Sequence, residues 1–240
     1  MGSPLEEHLQ HQTDNSERFF WHRLRWHAVK SYLPESPIDL VDVGAGAGLL
    51  GKFLARDRPN AKYFFVEPIE SLHDYLTLTY GAQSDVGGMS DYPSANFVTL
   101  LDVLEHQEDD RLFLRQLTAK MSPGSMLLLT VPALQALWSP WDVALGHFRR
   151  YDKEMLLGAM EGLDLKVQEM SYLFPEMVPL GRWRARRTNG KPEGDPDTDS
   201  EFPELPGPVN DVLFELGKAT LAMRRHWRKG TSLFLAATVT

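Results

Sequence analysis

Asp42-Val43-Gly44-Ala45-Gly46-Ala47-Gly48-Leu49-Leu50-Gly51 runs from an apolar segment through a glycine-rich turn into a helical pattern. Residues 38–43 read as a buried strand, and Leu50, Phe53 and Leu54 give the following segment an apolar stripe at helical spacing. The glycines between them let the backbone turn tightly and come close to a ligand. Strand, glycine turn and helix in that order make a nucleotide-binding corner.

Strand and helix patterns alternate outward from this corner. Before it, Phe19, Phe20, Leu24, Ala28 and Val29 recur at helical spacing over residues 16–32, with Trp21, Trp26 and basic residues on the other faces. After it come a helix through Arg56, a strand at 62–66, a helix at 69–79, a short strand near 83–86 and a strand at 97–101. A helix at 109–121, a strand at 126–131, a helix at 153–161 and a strand at 165–172 follow. The regularity breaks after Pro175 and returns with a helix at about 209–227 and a strand at 232–239. Such alternation predicts an α/β fold, a mostly parallel sheet covered by helices on both faces. Residues 188–208 are rich in acidic residues, proline and glycine, and read as a mobile loop.

The 240-residue chain carries a formal net charge of −8 and no cysteine. Its length suits one sizeable core, so a single domain is expected over residues 1–240. Within it we read an N-terminal helical cap (1–33), a cofactor-binding core (34–172), an insertion holding the acidic loop (173–230) and a final strand (231–240). The acidic balance argues against a nucleic-acid partner, and the lack of cysteine excludes disulfides, thiolate zinc sites and a cysteine nucleophile. Glu6 and Glu7 stand where a signal peptide would be basic and then apolar. The longest apolar-rich stretch, 126–138, contains Pro132 and falls short of the about 20 residues a membrane span needs. These features point to a soluble, cytoplasmic protein.

Two glycine fingerprints overlap in the opening stretch. Gly46-Ala47-Gly48-Leu49-Leu50-Gly51 fits a dinucleotide pattern, with Glu67 at a suitable distance for a ribose hydroxyl. In that register the loop starts late, some residues past the end of the strand. In the other register Asp42 closes the strand and Gly44, Gly46 and Gly48 shape the turn directly after it.

In that second register Asp42-Val43-Gly44-Ala45-Gly46-Ala47-Gly48 resembles the first motif of class I S-adenosylmethionine-dependent methyltransferases. Phe64-Phe65-Val66-Glu67-Pro68 is similar to their second motif, a strand ending in an acid. Leu100-Leu101-Asp102-Val103-Leu104-Glu105-His106 resembles the fourth, and Ser122-Pro123-Gly124-Ser125 with residues 126–131 resembles the turn and strand after it. The resemblance covers roughly residues 38–131. It implies a Rossmann-like, mostly parallel seven-stranded sheet with an antiparallel last strand, S-adenosyl-L-methionine as cofactor and S-adenosyl-L-homocysteine as product. It assigns the cofactor to Asp42, Gly44, Ala45, Gly46, Gly48, Glu67, Pro68, Leu101 and Asp102, with Glu67 accepting from the ribose hydroxyls. For adenine it points to Met89 and Ser90, with Asp85 and Asp91 as alternative acids. Asn96 departs from the pattern, standing where many relatives have Asp.

Past that strand, Leu137-Trp138-Ser139-Pro140-Trp141-Asp142 and Gly146-His147-Phe148-Arg149-Arg150-Tyr151 gather aromatic, acidic and basic residues beyond a strand's carboxyl end. Ligands bind at that edge in open α/β sheets. A similar run follows the fifth strand in a bacterial subgroup of small-molecule methyltransferases, some of them linked to sugars or lipid-linked glycans. The resemblance implies an acceptor site at Trp138, Trp141, Arg149, Arg150 and Tyr151. The candidate bases are His106 and His147, with Asp142 orienting or replacing one of them. The plainer reading has the tryptophans covering the core and the arginines paired with nearby acids.

Asp102, Glu105 and His106 share one face if their segment turns helical, and oxygen ligands with one imidazole suit a divalent cation. Ubiquinone-biosynthesis O-methyltransferases look similar here, and there these residues are implicated in metal binding. Metal-free relatives carry the same Leu-Glu-His, so a divalent metal is not favoured and no metal ligand is assigned.

The expected activity is methyl transfer to an oxygen, less readily a nitrogen, of a small molecule, with a sugar or lipid-linked glycan as one acceptor class. Two alternatives stand beside it: an NAD(P)-dependent Rossmann oxidoreductase, and a non-catalytic S-adenosylmethionine-binding regulatory protein. The basic and aromatic residues at 182–187 and 224–229 would suit peripheral contact with an anionic membrane. A solvated face pairing with the acidic loop is preferred.

Overall fold

A computed structural model describes residues 16–81, 95–188 and 205–240. After a 3-10 turn at Ser16–Arg18 the chain forms α1 (Phe20–Lys30), β1 (Asp39–Val43), α2 (Leu49–Asp57), β2 (Lys62–Val66) and α3 (Glu70–Tyr80). It continues with β3 (Phe97–Leu101), α4 (Asp110–Thr118), β4 (Met126–Pro132), α5 (Pro140–Ala144), α6 (Lys153–Ala159) and β5 (Leu165–Leu173). The last elements are α7 (Val178–Thr188), α8 (Gly207–Ala222) and β6 (Ser232–Val239).

Among the described residues the sheet has six strands in the order β2-β1-β3-β4-β6-β5. The pairs β1–β2, β1–β3 and β3–β4 are parallel. The last strand in sequence, β6, enters antiparallel between β4 and β5, as the resemblance implies. The short strand expected near 83–86 lies outside the described residues, as do Asp85, Met89, Ser90, Asp91 and most of the acidic 188–208 segment. No helix among the described residues is long and apolar enough to cross a membrane.

Successive side chains of a strand point to opposite faces, so each strand feeds two cores. Val41, Val43, Val98, Leu100, Leu127 and Leu129 pack with Leu114 and Leu117 of α4 and Leu156 of α6. Leu40, Phe97, Leu128, Phe234 and Ala236 pack on the other side with α1, α2 and Phe214 of α8.

The N-terminal helix is more deeply committed than its amphipathic pattern predicts. Trp26, read from spacing as facing away from the apolar stripe, is 2% exposed. It stacks near Phe53 of α2 and donates its indole N–H to Asp57 at 2.8 Å. The reason is that α1 is covered on two sides, by α2 as well as by the sheet and α8. Burial of a large apolar side chain stabilises by about 1.5–3 kcal/mol, and Phe20, Leu24, Trp26 and Val29 are all buried.

Long-range polar contacts fix the late elements to α1. No side chain of its own caps α1; instead Asn210 of α8 accepts from Phe20 N at 2.8 Å and donates to Arg18 O at 2.7 Å. Buried Glu169 of β5 accepts from Tyr32 and Ser171, each at 2.7 Å, and from Arg224 at 2.5 Å and Arg225 at 2.9 Å. The segment after Pro175, where periodicity fails, is also helical: α7 buries Val178, Ala185 and Thr188, exposes Arg182, Arg186 and Arg187 and half-buries Arg184. Its basic residues are good helix formers, and only a narrow stripe meets the protein.

Candidate functional site

The carboxyl ends of β1 to β4 share one edge, and the sequence motifs converge there. After β1 the chain turns through Gly44 (φ 73°), Gly46 (φ 54°) and Gly48 (φ 71°), a left-handed conformation that side chains rarely adopt. Space adds a second constraint. A Cβ on Gly44 would lie 2.6 Å from Val103, and one on Gly48 would lie 2.4 Å from Leu76.

Three backbone donors of this turn, those of Gly44, Ala45 and Gly46, are already engaged. Gly44 N and Ala45 N donate to Val66 O at 2.7 and 3.2 Å, which staples the turn to the end of β2. The next residue of β2's exit, Glu67, accepts from Gly46 N at 2.7 Å through Oε2 and from Ile69 N at 2.9 Å through Oε1. Burial pushes the Glu67 carboxyl up, while the two backbone hydrogen bonds pull it down. Each oxygen keeps a lone pair for a further donor, such as one hydroxyl of a ribose diol. A pyrophosphate would meet the same carboxylate where it needs free N–H groups, so this turn disfavours a dinucleotide.

Asp42 works from beneath the turn. It is 3% exposed and accepts from Thr99 Oγ1 at 2.8 Å and Tyr63 Oη at 2.9 Å. Burial lifts its carboxyl to about 6 despite those two bonds. Its position makes it a brace for β1, β2 and β3, with both oxygens turned inward. Pro68 is exposed beside Glu67, and Leu101 is half-buried at the end of β3.

Past β3, Asp102 adopts φ 59°, and a 3-10 turn at Leu104–His106 follows. Asp102 accepts from Thr130 Oγ1 at 2.9 Å and forms an ion pair with Arg25 of α1. Glu105 is fully buried and neither of its carboxyl oxygens has a hydrogen-bond partner. Burial, and then the charge of Asp102, push this carboxyl well above the ordinary range, toward the neutral acid.

The loop after β4 supplies the remaining groups. Ser139 and Asp142 form a capping box at the start of α5, with Pro140 in its first turn. Asp142 has no exposed surface and receives a fork from Arg150, Nε at 2.8 Å and Nη2 at 3.0 Å. His147 Nδ1 lies 3.0 Å from its Oδ1. Burial would raise the Asp142 carboxyl, but the hydrogen bond from His147 and the charge of Arg150 hold it below its ordinary value. Phe148 N donates to Glu105 O at 2.8 Å, which draws the loop onto the 3-10 turn. The His106 and His147 rings consequently meet edge to face, with centroids 4.7 Å apart. Burial and then His147 push the His106 imidazole down to about 4, against hydrogen bonds to the backbone of Gly146 and Leu145.

The structure thus brings His106, Asp142 and His147 together. It engages other residues of the loop internally: Tyr151 is 1% exposed and donates to Asp110 at 2.8 Å, and Arg149 pairs with Asp110 at 2.9 Å. Trp138 and Trp141 are half-buried on the loop. For a cation, the candidate set is Glu105, His106 and His147, each offering one atom within 4.8 Å of the others, whereas the spacing had grouped Asp102 with Glu105 and His106. A cation there would have to displace the Glu105 proton.

Arg25 was not apparent from sequence, because its partner is 77 residues away. The bracing pair Thr99 and Tyr63 was equally hidden; its only sequence signal is polar atoms inside otherwise apolar strands.

A family described as a methyltransferase domain matches residues 16–170. Among curated proteins no sequence matches the chain. Among solved structures, the complex between the Haloferax volcanii Trm112 methyltransferase activator and a methyltransferase is similar, with TM-score 0.61 and 16% identity over 95% of this chain and 92% of that one. Coclaurine N-methyltransferase bound to N-methylheliamine and S-adenosylhomocysteine gives TM-score 0.57 and 12% identity over 91% and 70%. A methyltransferase from Archaeoglobus fulgidus gives 0.52 and 17% over 90% and 94%.

Proposed function

The chain belongs to the methyltransferase-domain family as an S-adenosylmethionine-dependent methyltransferase, and from that premise we propose that it methylates an oxygen of a small molecule. The site fits the cofactor. Glu67 offers acceptors for a diol beside the glycine turn, and the N–H groups of Gly44, Ala45 and Gly46 are engaged by Val66 and Glu67, which suits a nucleoside without phosphates. Glu67 and the Gly44 to Gly48 turn would hold the nucleoside, and Asp102 the ammonium group. When bound, S-adenosylmethionine supplies an electrophilic methyl group on a sulfonium whose departure leaves a neutral thioether.

The chain's own task is then to align the acceptor and remove its proton. The observation that carries the oxygen reading is the His106, His147 and Asp142 chain. A neutral amine already has a free lone pair, whereas a hydroxyl gains most from a base. His106, held neutral at ordinary pH, has an available ring nitrogen, and the Asp142 carboxylate fixes His147 beside it with Nδ1 as donor. Trp138 and Trp141 add aromatic faces at the same edge, which supports an apolar or sugar-like acceptor, including a lipid-linked glycan.

The test is transfer of tritiated methyl from S-adenosylmethionine to matched acceptors bearing a hydroxyl or an amine on the same sugar or aromatic scaffold. Labelled ether product, lost in His106→Gln while cofactor affinity is retained, supports the proposal. Label on amines alone, unaffected by that substitution, overturns it.

A further inference from the structure

The helix α8 carries two apolar faces, and the fold of one chain uses only the inner one. Asn210, Phe214 and Gly217 are buried, and a Cβ on Gly217 would lie 2.1 Å from Leu24 of α1, so the inner face is closed. Val209, Val212, Leu216 and Met223 lie on the opposite side, each between 46% and 67% exposed, with Ala219 exposed among them. Their alternating spacing of three and four residues places all five within an arc of about 80° at 3.6 residues per turn. That is the seam of a two-helix pairing. Asp211, Glu215 and Lys218 line one flank of the seam, the acids toward its amino end and the base toward its carboxyl end, with Arg225 following just past the helix. Asp211 meets Arg23 at 3.4 Å, Glu215 meets Lys218 at 2.7 Å and Arg225 meets Glu169 at 2.9 Å, and all four flank residues keep much of their surface in solvent.

We infer that this seam binds the same seam of a second copy of the chain, the two α8 helices running antiparallel across a two-fold axis at Leu216. The stripe is symmetric about that residue. In the antiparallel pair Val209 faces Met223 of the second copy and Val212 faces its Ala219, and the reverse contacts repeat across the axis, as an isologous interface requires. Charge selects the direction. Antiparallel helices set the acidic half of one flank against the basic half of the other, so Asp211 and Glu215 meet Lys218 and Arg225 of the second copy. Parallel helices would instead put Asp211 beside Asp211 and Glu215 beside Glu215. The same two acids disfavour an anionic membrane as the occupant of this face, because they would lie against lipid of their own sign. A contiguous apolar row on the surface marks an interaction site. One helix from each chain makes a small interface, so the affinity expected is micromolar. Because Asn210 of the same helix caps α1, the pairing buttresses the N-terminal cap from outside.

The experiment is sedimentation equilibrium of the full chain over a concentration series. The mass should rise from one chain toward two through the micromolar range. Leu216→Lys, which sets two like charges against each other at the axis, should stay a single chain throughout, with circular dichroism and melting temperature unchanged. Glu215→Lys and Lys218→Glu should each weaken the dimer by about 5- to 10-fold, and combining them should restore it by rebuilding the contact in reverse. The chain has no cysteine, so orientation is read by crosslinking: Val209→Cys and Met223→Cys chains, mixed and oxidised, should form a disulfide dimer that neither forms alone. A chain that stays single at hundreds of micromolar overturns the proposal, and its sedimentation with phosphatidylserine vesicles would then name a membrane as the occupant. A dimer unaffected by Leu216→Lys also overturns it, as does a Val209→Cys chain that crosslinks by itself.

Discussion

His147 Nδ1 stands 3.0 Å from Oδ1 of Asp142, an acid with no exposed surface that Arg150 grips through both of its oxygens. The contact sets the tautomer and angle of the imidazole, and a loop hydrogen bond from Phe148 to Glu105 then sets its neighbour. Positioning by a buried carboxylate of this kind is separable from contact with a substrate.

Asp142→Asn should therefore act through His147. The amide can present N–H where His147 and Arg150 need an acceptor, so turnover should drop by about 100-fold or more while S-adenosylhomocysteine affinity stays within about two-fold. Unfolding in denaturant should show a loss of about 3 kcal/mol, because Arg150 loses a buried partner. His147→Gln, which leaves the Asp142–Arg150 fork in place, should reproduce the turnover defect with a smaller loss of stability.

The pH dependence distinguishes His106 from an ordinary exposed imidazole. His106 is pushed down to about 4, first by burial and then by His147. A base with that value is deprotonated as pH rises through about 4, so turnover should climb there and be level from about 5.5 upward. A limb centred near 6.5 that vanishes in His106→Gln would mean the ring titrates like a solvated imidazole.

Two glycines separate conformation from packing. Gly44 and Gly124 both have positive φ, 73° and 84°, but a Cβ on Gly44 would strike Val103 at 2.6 Å and one on Gly124 would meet nothing within 4 Å. Gly124→Ala should cost about 1–2 kcal/mol from backbone conformation alone. Gly44→Ala should cost more by denaturant unfolding and should also weaken S-adenosylhomocysteine, while Gly124→Ala leaves the ligand unaffected.

Acid stability should depend on Glu169. Burial alone would raise its carboxyl, yet bonds from Ser171, Tyr32 and Arg224 bring it down from 4.5 to about 2. A depressed acid stabilises the fold above its unfolded value, and that contribution is lost as pH falls from about 4.5 through about 2. Its worth near neutral pH is about 2–3 kcal/mol, discounted because the Arg225 side chain is 68% exposed. Glu169→Gln should flatten the stability profile across that window; an unchanged slope there would remove Glu169 as its source.

The first half of the sheet was legible because β1, β2 and β3 are runs of branched and aromatic residues closed by glycine or acid, as in Phe64-Phe65-Val66-Glu67. The loop that places Asp142 and His147 was legible for a related reason: both lie in one short stretch of chain. What spacing could not supply were contacts across the sequence. Trp26 is buried because a second helix covers the far side of α1, and Arg25 matters because β3 ends beneath it. The helix α7 escaped for lack of a wide apolar stripe, and Asp42 proved to face inward because Thr99 and Tyr63 offer hydroxyls there.

The most direct measurement is calorimetric titration of the purified chain with S-adenosylhomocysteine and with NADH, repeated on Glu67→Ala. Single-site micromolar binding of S-adenosylhomocysteine, lost in the variant, and no heat with NADH is the predicted result. Saturable NADH binding without S-adenosylhomocysteine binding would contradict the account, because it would require the Gly44 to Gly48 turn to receive phosphates beside the Glu67 carboxylate.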